Sequence, residues 1–330
     1  CHHLEVIDDI FHDTFSSNME FNTSSTAFDG GDHLIRGNEF YNTGIGTPAY
    51  GPGHNTIYNT GSRTIVENNY FHNLINGIGI WHSGKYLQGV IVRGNRCDHV
   101  GRNLTDTWYV SGGACIHVSS SGGGHRIYNN VISNSGDGSI FDAIRVNPQF
   151  GKTSLTDVQI YNNSIYKNIH ASARAIDVTS NMQTPGGVVA RNNLALGTAG
   201  INDSSGVAAL VASHNRTSGV AGDVWTDPNA GDLSLKSSSP AINAGTDMGL
   251  VSCGSNPDQG AFESLAVVAA SISGNVMLVT ICSASPPIIP GTFTVARSGG
   301  SPTVLSTSLQ GGSGGIVRLE VSETCAAAQT

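Results

Sequence analysis

The segment FDAIRVN (141–147) sets a permanently charged guanidinium, Arg145, between Ile144 and Val146, in a run that otherwise alternates like a buried strand. Four other segments share its phrasing: TIYNT (56–60), GIGIWHS (77–83), ACIHVSS (114–120) and RAIDVTS (174–180). Side chains of a strand alternate between its faces. Ile57, Ile80, Ile116, Ile144 and Ile176 therefore share one face, followed by Val118, Val146 and Val178, and the opposite face carries Tyr58, Trp81, His117, Arg145 and Asp177. By weaker alignment Glu20 precedes this column and Asn202 follows it. The next outward positions are small or polar: Thr60, Ser83, Ser119, Asn147 and Thr179. The column reads aromatic, aromatic, imidazole, guanidinium, carboxylate. That set suits a sugar. Flat rings stack on pyranose faces, and a guanidinium grips a carboxylate through two parallel hydrogen bonds. Tyr58, Trp81, Asn147 and Asp177 are the expected substrate contacts, with Trp108 or Tyr109 as further rings. The plainer reading is a decorated surface, because a solvated Arg–Asp pair contributes little and a Tyr–Trp pair is ordinary cross-strand packing.

A repeat explains why these residues line up. IRGNEFYN (35–42), IVENNYFHN (65–73), IVRGNRCDH (91–99), IYNNVISN (127–134), IYNNSIYK (160–167) and VARNNLAL (189–196) align on Asn38, Asn69, Asn95, Asn130, Asn163 and Asn193. An apolar residue follows two places later in each copy, and VIDDIFHD (6–13) fits as an earlier copy with Asp9 in the Asn place. Short alternating strands, Gly/Asn-rich turns and no helical period predict a solenoid with about three strands per rung. Rungs stack about 4.8 Å apart, so the column members become near neighbours. The Asn column has a structural explanation: stacked amides bond to one another and to turn backbone, and Asn tolerates the left-handed conformation of a tight corner.

The I-x-x-N-N-x-I-x-N phrasing, followed by G-I-x-I, resembles the right-handed parallel β-helix proteins of the pectate-lyase-like superfamily over about residues 3–215. DLSLKSSSPAINAGTDMG (232–249) and PDQGAFE (257–263) resemble the closing element of secreted bacterial β-helix proteins, and the Val/Thr/Ser-rich stretch after Leu265 resembles the immunoglobulin-like repeats of bacterial surface proteins. The expected architecture is all-β: a right-handed parallel β-helix over 1–264 with its closing segment at 232–263, then a small antiparallel β-sandwich over 265–330. In lyases of the superfamily, glycan chains lie along this kind of strand face. The resemblance implies Arg145 as the group neutralising a uronate carboxylate and His117 as the base removing the C5 proton, with Lys85 or Lys152 as alternative bases. No family lyase motif is present. Many such lyases bind calcium through clustered acids; Asp137, Asp142 and Asp177 are a thin set for it, so no cofactor is expected and calcium is the one candidate. A hydrolase needs two carboxylates about 5–9.5 Å apart, and no outward pair meets that.

Composition bounds the partners. A net charge of −8 with only 12% charged residues disfavours nucleic acid, and no apolar run is long enough to span a membrane. The opening at Cys1 without Met suggests processing, and the uncapped first rung suggests self-association there. Among six cysteines, Cys97 falls in a core column and reads as a buried thiol, Cys282 and Cys325 as a disulfide, while Cys1 and Cys253 pair with each other or with a neighbouring chain. Two functions stand: a secreted or cell-surface bacterial protein that binds an extracellular polysaccharide, acting as a polysaccharide lyase if it is an enzyme, or a structural or adhesive module, as in a fibre or sheath.

Overall fold

The structure, a computed structural model, describes residues 3–14, 18–21, 30–43, 54–75, 77–83, 87–102, 113–120, 122–135, 142–148, 155–168, 173–250, 252–264, 266–273, 276–282, 304–310 and 316–321. Short strands stack in three long parallel sheets, the arrangement of a parallel β-helix. The first sheet runs through Leu34–Arg36, Ile65–Glu67, Ile91–Arg93, Arg126–Tyr128, Val158–Tyr161 and Val188–Arg191, with Glu5–Ile7 and Leu210–Ser213 at its edges. The second holds Ile10–His12, Glu39–Tyr41, Tyr70–Ile75, Arg96–Arg102, Val131–Ser133, Ser164–Tyr166 and Leu194–Leu196. The third holds Met19–Phe21, His54–Asn59, Gly77–His82, Ile116–Val118, Ile144–Val146, Ile176–Val178 and Ile201–Asp203. Among the described residues, seven rungs each contribute one strand to each sheet, and Leu210–Ser213 adds an eighth strand to the first sheet alone.

The inward positions close a single dry core of Ile, Val, Phe and Leu, among them Ile57, Ile80, Ile116, Ile144 and Ile176, all fully buried. Phe11, Phe40 and Phe71 stack face to face within it at 5.1 and 4.9 Å. The Asn column forms a continuous amide ladder. Asn38, Asn69, Asn95, Asn130, Asn163 and Asn193 each direct both the backbone N–H and the side-chain amide to the Oδ1 of the next member, and Asn215 ends the series. The left-handed residue of this corner is the one before the ladder position: Asp8, Asn68, Asn129, Asn162, Asn192 and His214, with Gly37 and Gly94 taking the same role. The ladder Asn itself is not among the positive-φ residues, so its value lies in its amide and not in backbone tolerance.

One other expectation changes. Cys97 is not a thiol: it is bonded to Cys115, 18 residues on, and ties the second sheet to the entry of the third. Cys253 is also disulfide-bonded. Beyond the coil, the helix Ala221–Val224 and the antiparallel pair Trp225–Asp227 and Asp232–Leu235 lead into the segment reaching Ser264. This segment packs on the outer face of the second sheet, where Trp225, Leu233 and Ala241 bury Leu194 and Leu196. Among the described residues the C-terminal stretch is one four-stranded antiparallel sheet, Ala266–Ser273, Val276–Cys282, Ile316–Val321 and Val304–Gln310 in spatial order.

Candidate functional site

The outward column forms in full. Parallel pairing sets Glu20 beside Tyr58, Tyr58 beside Trp81, Trp81 beside His117, His117 beside Arg145, Arg145 beside Asp177 and Asp177 beside Asn202. The inward isoleucines fix this register, because a slip of one residue would put every one of these side chains into the core.

The chemistry changes along the column. Tyr58 meets Trp81 edge to face at 5.1 Å, and Trp81 stacks flat on His117 at 5.8 Å with planes 8° apart. The indole N–H of Trp81 donates to Ser119 Oγ at 2.6 Å, which orients the ring. His117 faces outward by parity yet is only 4% exposed, and neither ring nitrogen has a hydrogen-bond partner among the described residues. Burial, and then the charge of Arg145, push its pKa down to about 3, so the imidazole is neutral at physiological pH. Arg145 is half-buried.

Asp177 is 4% exposed and engaged: Arg174 Nη1 stands 2.7 Å from its Oδ1, to which Asn202 Nδ2 donates at 2.9 Å. Asn147 Oδ1 accepts from Thr179 Oγ1 at 2.7 Å and from Asn181 Nδ2 at 2.8 Å, so hydroxyls and amides continue the column on its flank. Asp142 is buried, accepts the Arg174 backbone N–H at 2.9 Å, and has its carboxyl pushed up to about 6 by burial. Lys85, Lys152, Trp108, Tyr109 and Asp137 lie outside the described residues. Among the described residues no three His, Cys, Asp or Glu side chains converge as cation ligands.

A second outward column escaped the sequence reading. The last outward position of each first-sheet strand gives Arg36, Glu67, Arg93, Tyr128, Tyr161 and Arg191, paired rung to rung. Its signal is present in the aligned repeats, always two residues before the ladder Asn. Arg93 Nε donates to Glu67 Oε2 at 2.7 Å and Arg93 Nη1 to Tyr128 Oη at 2.9 Å, while Tyr128 and Tyr161 stack at 4.8 Å. Arg36, Glu67, Arg93 and Tyr128 of this column line a cavity of about 670 Å³, together with Leu250, Phe262 and Glu263. Comparison of the chain with protein-family models, with curated proteins and with solved structures found no match.

Proposed function

We propose that this chain is an extracellular glycan-binding β-helix whose ligand, a uronate-containing polysaccharide, lies along the outward face of the third sheet. The observation that carries the reading is the unbroken register Tyr58–Trp81–His117–Arg145–Asp177, which lines up aromatic surface, a fixed cation and a carboxylate at one strand spacing per step. A glycan is itself a linear repeat, and a solenoid face matches it with repeated side chains. The Cys97–Cys115 disulfide supports an oxidising, extracellular setting. The right-handed, pectate-lyase-like assignment and the immunoglobulin-like assignment of the C-terminal sheet rest on the residue phrasing.

The geometry favours binding over cleavage. A base that removes a C5 proton works best with a pKa near the operating pH, whereas that of His117 is pushed down to about 3 and its ring is enclosed. Asp177 is occupied by Arg174 and Asn202. Electrophoresis through gels containing polygalacturonate, alginate or a neutral xylan tests the reading. Retardation by the two acidic polymers alone supports it. Ultraviolet absorbance from an unsaturated product would make the protein a lyase. Free migration in all three gels, with long particles under the electron microscope, would make it a structural module instead.

A further inference from the structure

The cavity between the second outward column and the closing segment has a composition of its own. Three guanidinium groups, Arg36, Arg93 and Arg96, border it in a chain whose net charge is −8. Arg93 is committed to Glu67, with Nη2 2.6 Å from Oε2. Arg36 and Arg96 are not committed in that way. Arg36 reaches Glu67 only at 3.9 Å, and Arg96 lies over the ring of Tyr70 at 5.3 Å without a carboxylate partner among the described residues. Both are exposed. Both line the cavity, as does the apolar ring of Phe262, and the Arg96 fork also approaches Gly231.

Glu263 is the remaining charged group of that wall. Burial, with the charge of Asp258 after it, pushes its carboxyl up to about 7, so the wall loses negative charge as the pH falls through neutrality. The cavity therefore offers two planar forks, an apolar wall and a volume of about 670 Å³, within the range of small-molecule sites. A bare phosphate needs neither the apolar wall nor the volume. A sugar acid uses both, together with the forks.

We propose that this cavity is a second ligand site, separate from the third-sheet face, and that it takes a sugar acid held through its carboxylate by Arg36 and Arg96 against Phe262. The two arginines stand on different sheets, Arg36 on the first and Arg96 on the second, so the site exists only at the corner that joins them.

Arginine-directed modification with phenylglyoxal, mapped by peptide mass spectrometry on the full chain, tests this without relying on the other site. Digalacturonate is expected to slow modification of Arg36 and Arg96 about fivefold or more, while cellobiose and inorganic phosphate leave it unchanged. Protection of Arg145 in the same digest reports on the third sheet, so the two readings fail separately. An Arg36→Gln, Arg96→Gln double variant on an Arg145→Gln background is expected to bind digalacturonate about tenfold or more weakly than Arg145→Gln alone. Equal protection by phosphate, absence of protection at Arg36 and Arg96, or undiminished affinity in the double variant would each overturn the assignment.

Discussion

The imidazole of His117 lies flat on the indole of Trp81, ring centroids 5.8 Å apart, while its other strand neighbour is the cation Arg145. Both ring nitrogens are buried without a partner among the described residues, so the stack holds a polar ring where an apolar one would fit. An unsatisfied buried polar group costs about 1–3 kcal/mol, and an aromatic ring in its place retains the stacking. His117→Phe is therefore expected to stabilise the fold by about 1 kcal/mol, read from chemical denaturation, and to leave acidic-glycan binding in place. Loss of stability would show that the imidazole makes a bond essential to the site.

Acid should loosen the coil. His82, His117 and His125 are buried, and burial is the first cause pushing their pKa values down to about 3, 3 and 4 from 6.5. Because the folded values lie below the unfolded one, the unfolded chain takes up protons first. Stability is complete above about pH 6.5 and falls as the pH drops toward the folded values. Between about pH 6 and 4 each imidazole adds about 1.4 kcal/mol per pH unit to the loss. His82 pairs with Val118 on the inward face, so His82→Val fits the core and is expected to remove its share of the slope. An unchanged slope of Tm against pH would contradict the assignment.

The amide ladder should be graded in strength. Asn95→Ala removes the acceptor for both donors of Asn69 and the donor to Val66 O and to Asn130 Oδ1, all buried. A cost of about 2–4 kcal/mol is expected. Asn215→Ala, at the half-buried end of the series, is expected to cost less than half of that. Equal losses in denaturant titrations would mean that the ladder does not act through burial.

Cys115→Ala with Cys97→Ala opens a link closed over 18 residues and is expected to cost about 3 kcal/mol. Under denaturing, non-reducing conditions neither residue should react with a thiol reagent in the parent chain.

The third-sheet column was legible because alternation leaves no freedom: with Ile144 and Val146 inside, Arg145 must be outside. Enclosure was not legible. Parity assigns His117 and Asp177 a face but does not say what covers it, and Arg174 reaches Asp177 from outside that strand. The Cys97 disulfide was hidden for a similar reason. Its position aligns with Phe71 and Ile132, so it resembles a packing residue until the return of the chain brings Cys115 within 6.2 Å between Cα atoms. Arg36, Glu67, Arg93 and Tyr128 stand two residues before the ladder Asn in each copy, but the local pattern does not say what packs opposite them. Only the packing of Phe262 and Glu263 against that corner turns them into the wall of a cavity.

The central claim is that a uronate chain is held on the third sheet through Arg145. Its most direct test is calorimetric titration of polygalacturonate into the protein carrying Arg36→Gln and Arg96→Gln, with and without Arg145→Gln. Binding that weakens about tenfold or more when Arg145 is replaced, with the unfolding midpoint unchanged, is the expected result. The same affinity with and without Arg145 would contradict it.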